Sequence, residues 1–179
     1  HGVAALNVAL FADGASIQLA AGTQFSAPIH LLFLSTHADC MISPLNVIVL
    51  GEGSTATVIE HYAGVTELPY WTNASTRIRL QANATLEHIS VLQESAKAYH
   101  TGAIAVDQAS GSRYHSHSIA LGGLFGRKDI GVRLAAEQAQ CNLNGLYVTT
   151  GREHIDFHTC VDHLVARGTS REFFKGVLS

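Results

Sequence analysis

Charge is scarce in this chain. Asp, Glu, Lys and Arg make up 14% of its 179 residues, against about 25% in an average soluble protein. The eleven Lys and Arg form no cluster and the net charge is −3 with His neutral, so nucleic-acid binding has no electrostatic support. No run approaches the roughly 18 apolar residues of a membrane helix; IHLLFLS is too short. The three cysteines, Cys40, Cys141 and Cys160, are widely spaced and include no CxxC pair. A small disulfide-framed domain is thereby excluded, and a reducing cytosol is the setting they suit. No GxSxG elbow marks a nucleophilic hydrolase, and no GxxxxGK[ST] loop marks an ATPase. A single tryptophan, Trp71, is poor provision for a sugar-binding groove.

What is present is apolar. At 47% hydrophobic the chain is too rich in core-forming residues to be disordered, and its length suits one domain, 1–179, with a real core. With so little charge, much of the surface is expected to be covered, inside a long stacked core or against a partner. The eleven histidines match the Lys plus Arg count, and where exposed they gain charge near pH 6. Asn73-Ala-Ser75 and Asn83-Ala-Thr85 fit the glycosylation sequon, a pattern without weight in a chain that shows no signal peptide. The start at HGVAALNVAL and the abrupt end at FKGVLS lead us to expect a piece of a longer protein.

The apolar runs are short, rich in Val, Ile and Leu, and bounded by Gly, Ser, Asn or Asp. They predict strands over Leu6–Phe11, Ser16–Leu19, Ile29–Leu34, Leu45–Leu50, Thr57–Tyr62, Ser75–Gln81, Thr85–Gln93, Ala103–Val106, Tyr114–Leu121, Ile130–Leu134, Cys141–Thr149 and His154–Val161. Asn144-Gly145 reads as a turn or bulge inside one of them, and the GTSREFFKGVLS end as turning helical after Thr169 or Ser170. The gaps are too short for repeated βαβ units. A step of 27 residues links His61, His88, His115 and Asn142, and their neighbours Val65, Leu92, Ile119 and Leu146. Such a period predicts stacked coils of a parallel β-solenoid, about 27 residues per coil in the central part. An all-β sandwich is the alternative. A ladder through His61, His88, His115 and His117 reads as structural, because the rise between rungs is too large for one ion to touch successive side chains.

The stretch REHIDFHTCVDH, residues 152–163, carries the densest chemistry. In a strand, His154, Asp156, His158, Cys160 and Asp162 share one face, while Ile155, Phe157, Thr159 and Val161 share the other. Imidazole, thiolate and carboxylate are all competent metal ligands, so His158, Cys160, Asp156 and His154 are the metal candidates. Alternate residues of one strand lie about 6.6–7 Å apart, and zinc ligands about 2.0–2.3 Å from their ion. Four residues of one strand therefore cannot converge without help from a second, such as one bearing His115 or His117. The plainer expectation is an apolar inner face and a polar outer face turned to solvent or a partner.

The run REHIDFHTCVDHLVARGTSREFFKGVLS resembles the core signature of the SufB/SufD family, which assembles iron–sulphur clusters. Asp156, His158 and His163 are followed by Thr169, Ser170, Arg171, Lys175 and Gly176 in its T/S-S-R-x-x-x-K-G pattern. The stretch DGASIQLAAGTQFSAPIHLLFLS is similar to the family's entry into its core, and the close VDH after DFH is more like the SufD branch. The resemblance implies a right-handed parallel β-helix and a non-catalytic scaffold, cytoplasmic or plastid in a photosynthetic eukaryote. It also implies pairing with SufB and with the ATPase SufC, with no cofactor held tightly here and an iron–sulphur cluster in the full complex. The family's flanking helical regions are missing, and its late Cys/His segment would fall beyond Ser179. Open solenoid ends invite a homodimer.

Sulphur transfer needs a nucleophilic thiolate, which makes Cys40, Cys141 and Cys160 candidate sulphur contacts; Cys40 has His37 and Asp39 close in sequence. Two further readings stay open. One is a carbohydrate-active β-helix using paired carboxylates such as Asp156 with Asp162 or Glu153. The other is a metal-binding solenoid.

Overall fold

The computed structural model describes residues 2–65 and 67–179. One helix, α1 (Gly2–Leu10), precedes thirteen strands: β1 (Ser16–Leu19), β2 (Ile29–Ser35), β3 (Met41–Ile42), β4 (Leu45–Leu50), β5 (Thr55–Gly64), β6 (Trp71–Leu80), β7 (Thr85–Gln93), β8 (Tyr99–Gln108), β9 (Arg113–Ala120), β10 (Phe125–Leu134), β11 (Gln140–Thr149), β12 (His154–His163) and β13 (Thr169–Leu178). They stack into two sheets. One runs β1-β4-β6-β8-β10-β12, with the short β3 also on β6; the other runs β2-β5-β7-β9-β11-β13. Neighbours pair in parallel, as in β6 with β8 and β11 with β13. The chain alternates between the sheets, one strand in each per coil. This is a parallel β-solenoid of about six turns, about 29 residues per turn.

Alternation along each strand builds the interior. In β10, FGRKDIGVRL, every second side chain from Gly126 to Leu134 is buried. Ile48, Ile78, Val106 and Val132 stack in register as a column of the first sheet, Ala56, Leu86, Tyr114 and Cys141 as a column of the second, and all belong to one core cluster. Each fully buried Ile or Leu contributes about 1.5–3 kcal/mol, and the column repeats that gain coil by coil. The bend from first to second sheet is also a column. Gly22, Gly53, Asn83, Gly111, Gln138 and Arg167 all adopt left-handed φ between 59° and 73°, a conformation that lets the chain reverse tightly.

The register corrects the 27-residue period. His61 pairs with Val91, and His88 with Val58 and Ser116, so His61, His88 and His115 are not rungs of one ladder. His61 and His115 face outward while His88 is fully buried. Only one step of the ladder is real: Asn142 is the register partner of His115, 27 residues on, with Nδ2 and Nδ1 3.0 Å apart. Coil length varies because the turns differ in length, and a period found at one step does not carry along the chain.

Three local expectations also change. The N-terminal run folds as α1 rather than a strand. GVAALNVAL lacks strict alternation and is rich in Ala and Leu, good helix formers. Its one polar residue, Asn7, is buried and donates to the Pro44 and Asn73 carbonyls at 3.0 and 2.6 Å. Asn73 Nδ2 donates in turn to the Val3 carbonyl at 3.0 Å, fixing α1 across the outside of β6 and β8. The C-terminal run forms β13, not a helix, because its residues pair one for one with β11. Asn144-Gly145 lies in uninterrupted β11 rather than in a turn. Gly145 points inward, and a Cβ there would sit 2.1 Å from Phe174 Cδ1, so the glycine makes room for the aromatic ring of the next coil.

Candidate functional site

The parity of residues 152–163 holds in the fold. Ile155 and Phe157 pack against the buried Tyr62, Leu92 and Ala120, and Val161 against the main core. The polar residues of β12 face outward, each with its own neighbour. His154 stacks on Phe125 with ring centroids 5.5 Å apart. Asp156 receives Arg127 Nη1 at 2.6 Å, and the same guanidinium donates to Asp129 at 2.9 Å. His158 Nδ1 lies 3.8 Å from Asp129 Oδ1. Cys160 Sγ donates to Asp162 Oδ1 at 3.7 Å. Among the described residues no three His, Cys, Asp or Glu side chains come together as a metal-holding group. The charges of this face pair with neighbouring strands: Arg133 bonds Asp107 at 2.9 Å.

Beside this face runs an open groove of about 400 Å³ between α1 and β12. Ala103, Ala105 and Gly131 form its floor, Val8 of α1 one wall, and His158 and Cys160 the other. The floor is shallow because these positions of the adjacent strands β8 and β10 carry nothing larger than a methyl group. Cys160 is the exposed thiol of the chain; Cys40 is half-buried and donates to the His37 carbonyl at 3.3 Å. Cys141 lies inside the solenoid, where burial and the nearby Glu172 carboxylate push its thiol up to about 12. The three cysteines are free: Cys40 lies just before β3, Cys141 on β11 and Cys160 on β12.

The interior holds a second constellation. Glu60, His88, Glu94, His100 and Lys128 are all buried between the sheets. Thr76 and Tyr62 donate to the Glu60 carboxylate at 2.8 and 3.0 Å, and His88 Nε2 lies 3.4 Å from it. Burial works to raise Glu60, but the His88 imidazole and these hydrogen bonds outweigh it and hold the carboxyl down at about 2. His88 Nδ1 is 2.9 Å from Tyr114 Oη. Glu94 accepts from Thr72 Oγ1 at 2.6 Å and from His100 Nδ1 at 2.9 Å. Lys128 donates to Ser90 Oγ; burial lowers its amine to about 8 against the opposing pull of Glu60 and Glu94.

These buried groups were open to detection in one place. Lys128 shares the parity of Ile130, Val132 and Leu134, the apolar side of an alternating strand, and a charge there must be inward and paired. Glu94 lies just past β7, in a segment without alternation, and nothing in its sequence marks it as buried.

Residues 33–179 match the model of the SUF system FeS cluster assembly SufBD core domain. The chain is 26% identical over 183 residues to the iron–sulfur cluster assembly SufBD family protein slr0076 of Synechocystis sp., a match spanning 97% of this chain and 40% of that protein. It is 31% identical over 130 residues to the iron–sulfur cluster assembly protein SufD of Escherichia coli, spanning 73% of this chain and 31% of the relative. The likeness to Protein ABCI7, chloroplastic, of Arabidopsis thaliana is 26% over 168 residues, 88% of this chain and 35% of that one. The chain thus spans 40% or less of the length of the curated relatives it matches.

Proposed function

Because the chain belongs to the SufB/SufD family of SUF-system iron–sulphur cluster assembly proteins, we propose that it is the β-helical core of a SufD-like scaffold subunit pairing with SufB and SufC. The observation that carries this reading is the extent of the match: residues 33–179 take in the end of β2 and every strand from β3 to β13, so the matched unit is the greater part of the solenoid. The outward polar face of β12 fits it: Arg127 holds Asp156, Phe125 stacks on His154 and Asp162 accepts from Cys160. In this reading the cluster is cargo of the full complex, not a resident of this chain. ATP is hydrolysed by SufC alone, in the cytoplasm or, in a photosynthetic eukaryote, the plastid.

Affinity capture of the full-length protein, with purified SufB and SufC, tests the proposal. Retention of both, with ATP turnover only when SufC is present, is the expected result. Failure to retain SufB, or release of reducing sugar from pectin-like polymers by the protein alone, overturns it. The same reading has the solenoid self-associate when SufB is absent, and a strict monomer by light scattering at high micromolar concentration removes that part.

A further inference from the structure

The polar interior contains a gap with a definite chemistry. His100 is 1% exposed, and its Nδ1 faces the Glu94 carboxylate at 2.9 Å. A carboxylate only accepts, so Nδ1 carries a proton, and Nε2 presents a lone pair when the ring is neutral. That Nε2 is buried and has no hydrogen-bond partner among the described residues, a costly state for a polar atom. Lys128, also buried, has three N–H bonds, one of which goes to Ser90. Between them lies a cavity of about 10 Å³, lined by Glu60, Thr76, Ser90, His100, Gly102 and Lys128 among others. A volume of about one probe sphere suits one water and nothing larger.

Gly102 makes the space. It occupies an inward position of β8, between His100 and Ile104. A Cβ added there would lie 3.1 Å from His100 Nε2 and 3.6 Å from Lys128 Cε. Any side chain would fill the volume that the two polar groups face. We propose that this cavity is a binding site for a single water molecule, which accepts a hydrogen bond from Lys128 Nζ and donates one to His100 Nε2. Glu60 and Thr76 also line the cavity and offer acceptors for the water's second proton, in keeping with the two to four partners a buried water requires. It unites two networks that are otherwise separate: Ser90 with Lys128, and His100 with Glu94 and Thr72. The cluster then becomes one hydrogen-bonded chain joining the two sheets through the solenoid axis.

Crystals of the full-length protein at atomic resolution, with ¹⁵N resonances of His100 in solution, test the site. Density within hydrogen-bonding distance of both Lys128 Nζ and His100 Nε2 is expected. In Gly102→Ala that density is lost and the Nε2 resonance moves toward the value of an unbonded ring nitrogen. Lys128→Met, which removes the donor without adding a Cβ at 102, gives the same movement and serves where Gly102→Ala does not fold. A direct Lys128–His100 bond, a cavity without density, or an Nε2 resonance unmoved in the variants overturns the proposal.

Discussion

Lys128 Nζ of β10 reaches across the solenoid to Ser90 Oγ of β7 at 2.5 Å, so a lysine in the core of one sheet is bound to a serine in the core of the other. The amine is fully enclosed, and Glu60 and Glu94 supply the compensating charge. Removing one member of a buried charged group leaves the others uncompensated, at a cost of about 3–5 kcal/mol. Lys128→Met is therefore expected to lower the free energy of urea unfolding by that order at pH 7. Adding Glu60→Gln to Lys128→Met recovers part of the loss. Strictly additive losses in the double variant count against a shared network.

Acid stability follows from Glu60. Its carboxyl is held at about 2 in the fold, below the ordinary 4.5. A depressed carboxylate contributes stability that is whole above its unfolded pKa and lost as pH falls through the folded one. The window is thus from pH 4.5 down to about 2, with a contribution of about 3 kcal/mol at neutral pH. Lys128 has the opposite sense. Its amine falls from 10.5 to about 8, so the penalty of burying it is full below pH 8 and relaxes between 8 and 10.5. Urea unfolding from pH 2 to 5 is expected to show a steep loss of stability in the wild type and a shallower one in Glu60→Gln. Equal slopes remove Glu60 as the source.

The cysteines separate by exposure. Cys160 is exposed, Cys40 half-buried and Cys141 enclosed with its thiol pushed up to about 12. Only the thiolate reacts. Titration of the native protein with a thiol-disulfide reagent is expected to give one fast equivalent that Cys160→Ser abolishes. A slower one disappears in Cys40→Ser, and a third appears only on unfolding. Fast labelling of Cys141 in the native state contradicts its place inside the solenoid.

The solenoid was readable because its inner faces are regular: Ile155, Phe157 and Val161 alternate with polar residues, and parity alone places them inward. Coil length was not, because it resides in turns whose common feature is a left-handed backbone. Glycine supplies it at Gly22, Gly53 and Gly111, but Asn83, Gln138 and Arg167 supply it elsewhere, and the latter two give no turn signal. α1 escaped because a nine-residue run, apolar but for Asn7 and without alternation, fits either a buried strand or a helix. What decided the matter was Asn7, whose partners at Pro44 and Asn73 are distant in sequence. The β12 face showed its ligand types but not Arg127, the residue of the adjacent strand that occupies Asp156.

Gly145 tests the stacking of one coil on the next. Its inward position on β11 is opposite Phe174 of β13, and a methyl group there would meet the ring at 2.1 Å from Cδ1. Phe174 is itself held by Phe157, with ring centroids 5.8 Å apart, so the ring cannot retreat without disturbing β12. Overpacking of this kind costs about 1–3 kcal/mol. Gly145→Ala is expected to lower thermal stability by that amount, about 2–4 °C for each kcal/mol in a chain of this size. Phe174→Leu, which frees the space, is expected to cancel most of the loss, giving a favourable coupling in a double-mutant cycle. If Gly145→Ala is neutral on its own, the ring does not occupy the glycine's place, and the packing of the last coil differs from that described.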